Sequence, residues 1–505
     1  MIARTQENPT QVYGFFRANL SRLDQALLSA LPDVFKALIQ ETDKTQKIAA
    51  VFVTFGNLIN QFPLGTRWLN LELSIAAYQL ALQVYTQEDY PEQWAMTYSN
   101  LASAYTNRIC GERAENIEQA IAACQFALQV RTQEAFPEQW ATTQNNLATA
   151  YKDRIRGERA ENIEQAITAY QLALQVYTQE DYPEQWAMTY SNLATAYYAR
   201  IRGERAENIE QAITACQFAL QVRTQEAFPE QWATTQNNLA TAYKDRICGE
   251  RAENIEQAIA AYQLALRVST REAFPEQWAM THSNLALAYS ERIRGERAEN
   301  IEQAIAAYQL ALQVSTREAF PKQWATTQNN LATAYYARIR GERAENIEQA
   351  IAAYQLALQV YTCEAYPEQW ATTYINLASV YYARIRGERA ENIEQAIAAY
   401  QLTLQVYTCE AYPEQWATMQ NNLALAYKDR IRGERAENIE QAITACQFAL
   451  QVRTREAFPE DWAGTQNNLA LAYNDRIRGE RAENIEQAIT AFQLALQVYT
   501  REAFP

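Results

Sequence analysis

Few side chains in this 505-residue sequence suit covalent chemistry, and those few lie apart. His282 is the only histidine, and the stretch around it, 275–320, holds no cysteine. A thiolate–imidazole pair needs hydrogen-bond contact, so Cys248 or Cys363 would have to reach His282 from other stretches of the chain. No His and Cys spacing suits a metal. Carboxylates are plentiful, but they recur at equivalent places in turn sequences, as a solvated face does. The recurring groups suited to recognition are amides, each directly before a leucine: Asn100, Asn146, Asn192, Asn238, Asn284, Asn330, Asn376, Asn422 and Asn468. A carboxamide both donates and accepts, so its chemistry is hydrogen bonding rather than bond breaking. The sequence therefore reads as non-enzymatic, with no metal or cofactor.

Two further sets fall beside these amides by helical spacing. Three residues before each leucine lie Tyr98, Gln144, Tyr190, Gln236, His282, Gln328, Tyr374, Gln420 and Gln466. Two residues beyond the following tyrosine lie Asn107, Asp153, Ala199, Asp245, Glu291, Ala337, Ala383, Asp429 and Asp475, a set that is acidic or neutral and never basic. Such variation among near-identical copies is expected either of local specificity or of drift after duplication. Residues 78–169 nearly duplicate 170–261.

The elements that must position these residues are set by a repeat. Trp94, Trp140, Trp186, Trp232, Trp278, Trp324, Trp370, Trp416 and Trp462 are each 46 residues apart. A period of this length means stacked supersecondary units, each too small to bury its own apolar face. In one copy, Pro137 opens a helix where a missing N–H costs nothing, and Glu138 sits at the positive end of its dipole. Trp140, Leu147, Ala148, Tyr151 and Ile155 form a single apolar stripe, and Gly157 is expected to stop this helix. Asn162-Ile163-Glu164-Gln165 matches a capping box opening a second helix, whose stripe runs through Ala166, Ile167, Tyr170, Ala173, Leu174 and Tyr177. In three copies the tyrosine of this helix becomes Cys124, Cys216 or Cys446, and the leucine two residues on becomes Phe126, Phe218 or Phe448. That exchange is expected to conserve core volume. The fold class is all-α, an α-solenoid of stacked antiparallel helix pairs.

Asn-Asn-Leu-Ala-x-x-Tyr on the first helix, as at 145–151, Gly at the turn and Ala-x-x-x-Tyr-x-x-Ala-Leu on the second, as at 166–174, resemble the tetratricopeptide repeat. The flavour is similar to the kinesin light chain type, and to long cyanobacterial arrays, many of which continue into a caspase-like CHAT protease domain. The resemblance covers 91–505 closely and 46–90 loosely. The usual unit has 34 residues, so a 46-residue copy carries longer helices or connections. The resemblance implies a right-handed superhelix whose first helices line a concave side holding an extended or helical peptide. It also implies that the asparagines grip the backbone of that peptide, with the two variable sets beside them. An alternative keeps each asparagine for backbone groups between helices. The family's clamp for acidic tails needs Lys or Arg on the inner face; here the residue before each asparagine is Ser, Asn or Ile. A basic or neutral partner segment follows.

The ends differ from the copies. Gly65 and Asn70 lie 46 residues before Gly111 and Asn116, so 46–90 is a degenerate copy with Ile48 for Trp and Phe55-Gly56 for Leu-Ala. Residues 1–45 are expected to form a helical cap, with helices over Val12–Leu31 and Asp33–Thr42 around Pro32. Nine full copies occupy 91–504, and Pro505 opens a tenth. That leaves an apolar face, Ile485 to Val498, without a neighbour. Either the natural chain continues, for example as the sensing or recruitment arm of a CHAT-type effector, or the face docks a partner, including end-to-end self-association.

Composition narrows the partners. Net charge is −15 and no run of like charge reaches five residues, which argues against nucleic acid and leaves a helical-repeat RNA reader as an outside reading. Residues 1–10 lack the apolar stretch of a signal peptide, and Ile48–Ile59 is too short to span a bilayer. A cytoplasmic protein with no membrane partner and seven reduced cysteines is expected.

Overall fold

The computed structural model describes residues 9–40 and 44–502. These fall into two compact halves, divided between Val268 and Ser269. The N-terminal half holds helices α1 (Pro9–Ala18), α2 (Gln25–Gln40), α3 (Thr45–Gln61), α4 (Arg67–Ala81), α5 (Pro91–Thr106), α6 (Arg113–Leu128), α7 (Pro137–Lys152), α8 (Arg159–Ala173), α9 (Pro183–Tyr198), α10 (Arg205–Val222), α11 (Pro229–Lys244) and α12 (Arg251–Leu266). The C-terminal half holds α13 (Pro275–Glu291), α14 (Arg297–Leu312), α15 (Pro321–Ala337), α16 (Arg343–Ala357), α17 (Pro367–Tyr382), α18 (Arg389–Thr403), α19 (Pro413–Lys428), α20 (Arg435–Val452), α21 (Pro459–Asp475) and α22 (Arg481–Glu502). Within each half, consecutive helices pack in pairs and each pair packs on the next, an α-solenoid. No strand occurs among the described residues.

One packing rule recurs inside each half. The second helix buries Ile163, Ala166, Ile167 and Tyr170 against Ala148 of its own first helix and against Leu193 and Ala196 of the next copy's. Alanines at the contacts let the helix axes approach closely. Buried tyrosines are pinned at their tips: the Tyr170 and Thr149 hydroxyls lie 3.0 Å apart, and those of Tyr177 and Thr142 2.6 Å. Trp140 packs on the same end as Ala173, Tyr177 and Trp186.

Adjacent copies are also tied by arginine. The Arg154 guanidinium, just beyond α7, donates to both carboxylate oxygens of Glu118 on α6, at 2.8 and 2.9 Å. The same bidentate pair recurs as Arg200–Glu164 and Arg246–Glu210 in the N-terminal half, and as Arg338–Glu302, Arg384–Glu348, Arg430–Glu394 and Arg476–Glu440 in the C-terminal half. These side chains are about three-quarters buried, and the hydrogen bonds from Arg154 hold the Glu118 carboxyl below its ordinary range.

Several local expectations are corrected. The first helix ends at Lys152 rather than at Gly157, because the turn occupies the intervening residues and Gly157 takes a left-handed φ of 78° within it. Ile155 therefore leaves the apolar stripe and stands 62% exposed, as Ile109, Ile201, Ile339 and Ile385 do in other copies at 61–62%. The capping box does not form. Helix α8 starts at Arg159, so Asn162 lies one turn inside it, and its amide reaches back to the carbonyls of Arg156 (2.9 Å) and Arg154 (3.4 Å). Cys124, Cys216 and Cys446 are buried, but Phe126, Phe218 and Phe448 stay 36–41% exposed and refill no core volume. Phe126 lies instead 5.0 Å from the ring of Tyr98. The N-terminal segment holds two α-helices, α1 and α2, but the break between them falls within 19–24 and Pro32 lies inside α2; Thr42 falls outside the described residues. Residues 1–8 and Pro505 are outside them too.

On α22, Ile485, Ile489, Phe492 and Leu496 are 39%, 48%, 38% and 57% exposed. The first three correspond to Ile439, Ile443 and Cys446 of the preceding copy, which the next first helix covers to 0–4%.

Candidate functional site

All nine asparagines before leucine are half-buried, on the third turn of a first helix. Their surroundings differ. Asn100 donates to Asn57 Oδ1 and Asn468 donates to Asn421 Oδ1, both at 3.0 Å, which ties neighbouring first helices together. Asn330 accepts from Asn329 at 3.4 Å, and Asn284 is engaged within the protein. Asn146, Asn192, Asn238, Asn376 and Asn422 make no side-chain hydrogen bond to described residues, although part of each amide reaches solvent. The row thus holds both behaviours that its sequence allows, helix-to-helix ties and open amides.

The residues three before leucine split by size. Tyr98, Tyr190 and Tyr374 are half-buried, each 4.8 Å from the tryptophan one turn earlier on its helix, Trp94, Trp186 and Trp370. His282 takes the same place beside Trp278, at 4.4 Å. Its Nδ1 is buried without a partner, and burial pulls the imidazole pKa down to about 4. Gln144, Gln236 and Gln328 are only 8–9% exposed, with Gln420 and Gln466 at 9%. These glutamines have little reach towards a bound molecule.

The acidic set is already engaged. Asp153 pairs with Arg113 and Asp475 with Arg435, each at 3.2 Å. Asp429 pairs with Lys428 at 3.3 Å and accepts from the Tyr382 hydroxyl; Asp245 is held likewise by Lys244 and Tyr198. That pairing with Lys244 and Tyr198 keeps the Asp245 carboxyl below its ordinary range although burial opposes it, and Asp245 in turn helps burial push the Tyr198 phenol up to about 12. Glu291 has a partner as well.

Three arginines absent from the expected site, Arg131, Arg223 and Arg453, stand where other copies carry Tyr or Ser. The signal was there, as an uncharged position turned cationic at the end of a second helix.

No group of three or more His, Cys, Asp or Glu residues is placed to hold a metal among the described residues. No described helix is long and apolar enough to cross a membrane.

Compared with known families, residues 140–176, 186–220, 324–359, 370–405 and 416–450 match the profile of the tetratricopeptide repeat. A comparison with curated proteins gives no match. Among solved structures, the apo form of RapI is similar over 81% of this chain and 98% of its own, at 13% identity and a TM-score of 0.47. The C-terminal part of a TPR repeat-containing protein from Cytophaga hutchinsonii is similar over 60% of this chain and 94% of its own, at 14% identity and a TM-score of 0.35. The matched copies share their sequence, helix bounds and inter-copy ties with the others. The chain is an array of tetratricopeptide repeats.

Proposed function

We infer that this array is a non-enzymatic interaction scaffold that holds a peptide or protein segment along the face formed by its first helices. The observation that carries this reading is the set of open amides at Asn146, Asn192 and Asn238 in one half, and at Asn376 and Asn422 in the other. A row of donors and acceptors at a fixed period suits an extended backbone and asks little of its side chains. Tyr190 and Tyr374, backed by tryptophan, supply rigid apolar neighbours. Buried Gln144, Gln236 and Gln328 contribute little. Asp153, Asp245, Asp429 and Asp475 carry their own counter-ions and offer a partner little net charge. The preference for a neutral or basic segment over an acidic one rests on the net charge of −15 and on Ser, Asn or Ile, never Lys or Arg, directly before each asparagine.

The test is selection of peptides from a displayed random library on the intact chain, followed by Asn192→Ala with Asn238→Ala, and separately Asn376→Ala with Asn422→Ala. Weakened peptide binding at an unchanged melting temperature supports the groove. Unchanged binding, or a fall in melting temperature that accounts for the loss, refutes it.

The exposed face of α22 favours a second reading, end-to-end association between copies of the chain. Sedimentation across a range of concentrations tests it, with Ile489→Lys as the variant expected to stay monomeric.

A further inference from the structure

Arg453 is 8% exposed and has three polar partners. One guanidinium nitrogen donates to Thr465 Oγ1 at 3.1 Å; the other donates to Thr418 Oγ1 at 2.9 Å and lies 3.4 Å from the carboxylate of Asp461. Arg131 and Arg223 keep only the first of these partners, Thr143 at 3.3 Å and Thr235 at 3.1 Å. The other two have been substituted: Met96 and Met188 stand in the place of Thr418, and Gln139 and Gln231 in the place of Asp461. An open cleft lies beside each of these two arginines. A cleft of about 250 Å3 beside Arg131 is lined by Met96, Val130, Phe136 and Glu92, and the matching cleft beside Arg223 measures about 300 Å3. Neither arginine forms an ion pair among the described residues, and burial lowers the pKa of both.

A guanidinium drawn partly out of water without a counter-ion is an unfavourable arrangement that an entering anion relieves. The chain itself shows which anion, because the one copy that closes this site does so with the carboxylate of Asp461. We propose that the clefts at Arg131 and Arg223 each bind a carboxylate borne on a short apolar body. Met96, Val130 and Phe136 receive the body. Glu92 and Glu184 on the cleft walls favour a ligand with an N–H or ammonium next to its carboxylate, as in a free amino acid or the C-terminal residue of a peptide. This site is independent of the asparagine row, and the two clefts are copies of one, since they lie within the near-duplicate stretches 78–169 and 170–261.

Calorimetric titration of the intact chain with L-leucine, N-acetyl-L-leucine and the carboxylate-free N-acetyl-L-leucinamide tests this. At least one carboxylate probe is expected to bind at two equivalent sites, with the amide control weaker by about tenfold or more. Binding by both carboxylates identifies a free small acid as the ligand class; binding by the acetylated form alone identifies a peptide terminus. Arg131→Gln with Arg223→Gln is expected to lose the preference for a carboxylate. Gln139→Asp with Gln231→Asp changes two exposed residues, restores the internal carboxylate, and is expected to abolish binding in a folded protein. Equal affinity for the amide control, retained binding in the Asp variant, or no binding of either carboxylate at millimolar concentration overturns the proposal.

Discussion

Replacing Asn162 by alanine removes a side chain that is 1% exposed and joins the start of α8 to the turn before it. Its amide donates to the Arg156 carbonyl at 2.9 Å and to the Arg154 carbonyl at 3.4 Å. The shorter bond is worth about 1 kcal/mol net, and leaving its carbonyl unpaired adds about 1–2 kcal/mol; the longer contact adds little. A loss of about 2–3 kcal/mol is therefore expected. Asn162→Asp is expected to lose at least as much, because an ionised carboxylate only accepts and would face two carbonyl oxygens. The assay is urea denaturation followed by circular dichroism, paired with amide hydrogen exchange across residues 153–164. In a stacked array the defect should appear first as faster local exchange, since each copy contacts only its neighbours. A loss below about 0.5 kcal/mol with unchanged exchange would refute the claim that this amide holds the turn, since that is the range of ordinary surface substitutions.

Other outcomes follow from the same geometry. His282 has its pKa lowered to about 4 from an ordinary 6.5 by burial, so between these pH values the unfolded chain binds a proton that the folded one refuses. Stability should fall as pH drops through that window, by about 1 kcal/mol once solvent screening of the half-buried ring is allowed for, and His282→Gln should remove that part of the slope in pH-dependent melting. Arg384→Met unpairs Glu348 and should cost about 1–2 kcal/mol at pH 7 by urea denaturation. Because hydrogen bonding from Arg384 lowers the Glu348 pKa, the tie is present above the ordinary carboxylate pKa, and the difference from the parent should shrink as acidification protonates the carboxyl. Gly203→Ala should cost about 1–2 kcal/mol in thermal melting, from backbone strain at φ 78° rather than from crowding, since the nearest atom to an added Cβ is 3.7 Å away.

What the sequence disclosed was whatever repeats locally. The prolines at 91, 137 and 183 open α5, α7 and α9 as their positions require, and the period locates every helix pair. Misreadings came where a short pattern fits two registers. Ile155 continues the helical spacing from Tyr151, but four residues of turn precede Gly157, so the helix is over before the isoleucine is reached. Asn162 and Gln165 match a capping box, yet α8 begins three residues before Asn162, which turns the asparagine inward. The Arg154–Glu118 tie was illegible because 36 residues separate its members, and only stacking brings them together. The asparagine row was visible as a pattern, but its division into open and engaged amides depends on neighbours such as Asn57 and Asn421.

That tie has a bearing on how such a chain changes length. Each full copy carries a carboxylate on its second helix, such as Glu164, and a guanidinium after its first, such as Arg154, and inside a half the two are completed by different neighbours. Any copy can therefore follow any other and close the joint. A genetic duplication or deletion of one whole 46-residue block leaves no orphaned charge at the seam, whereas a recombination that leaves a partial unit there can separate a carboxylate from its guanidinium. Selection on this joint alone would filter unequal recombination to whole multiples of the block, and the near-identity of 78–169 and 170–261 is what a recent event that passed this filter would leave behind.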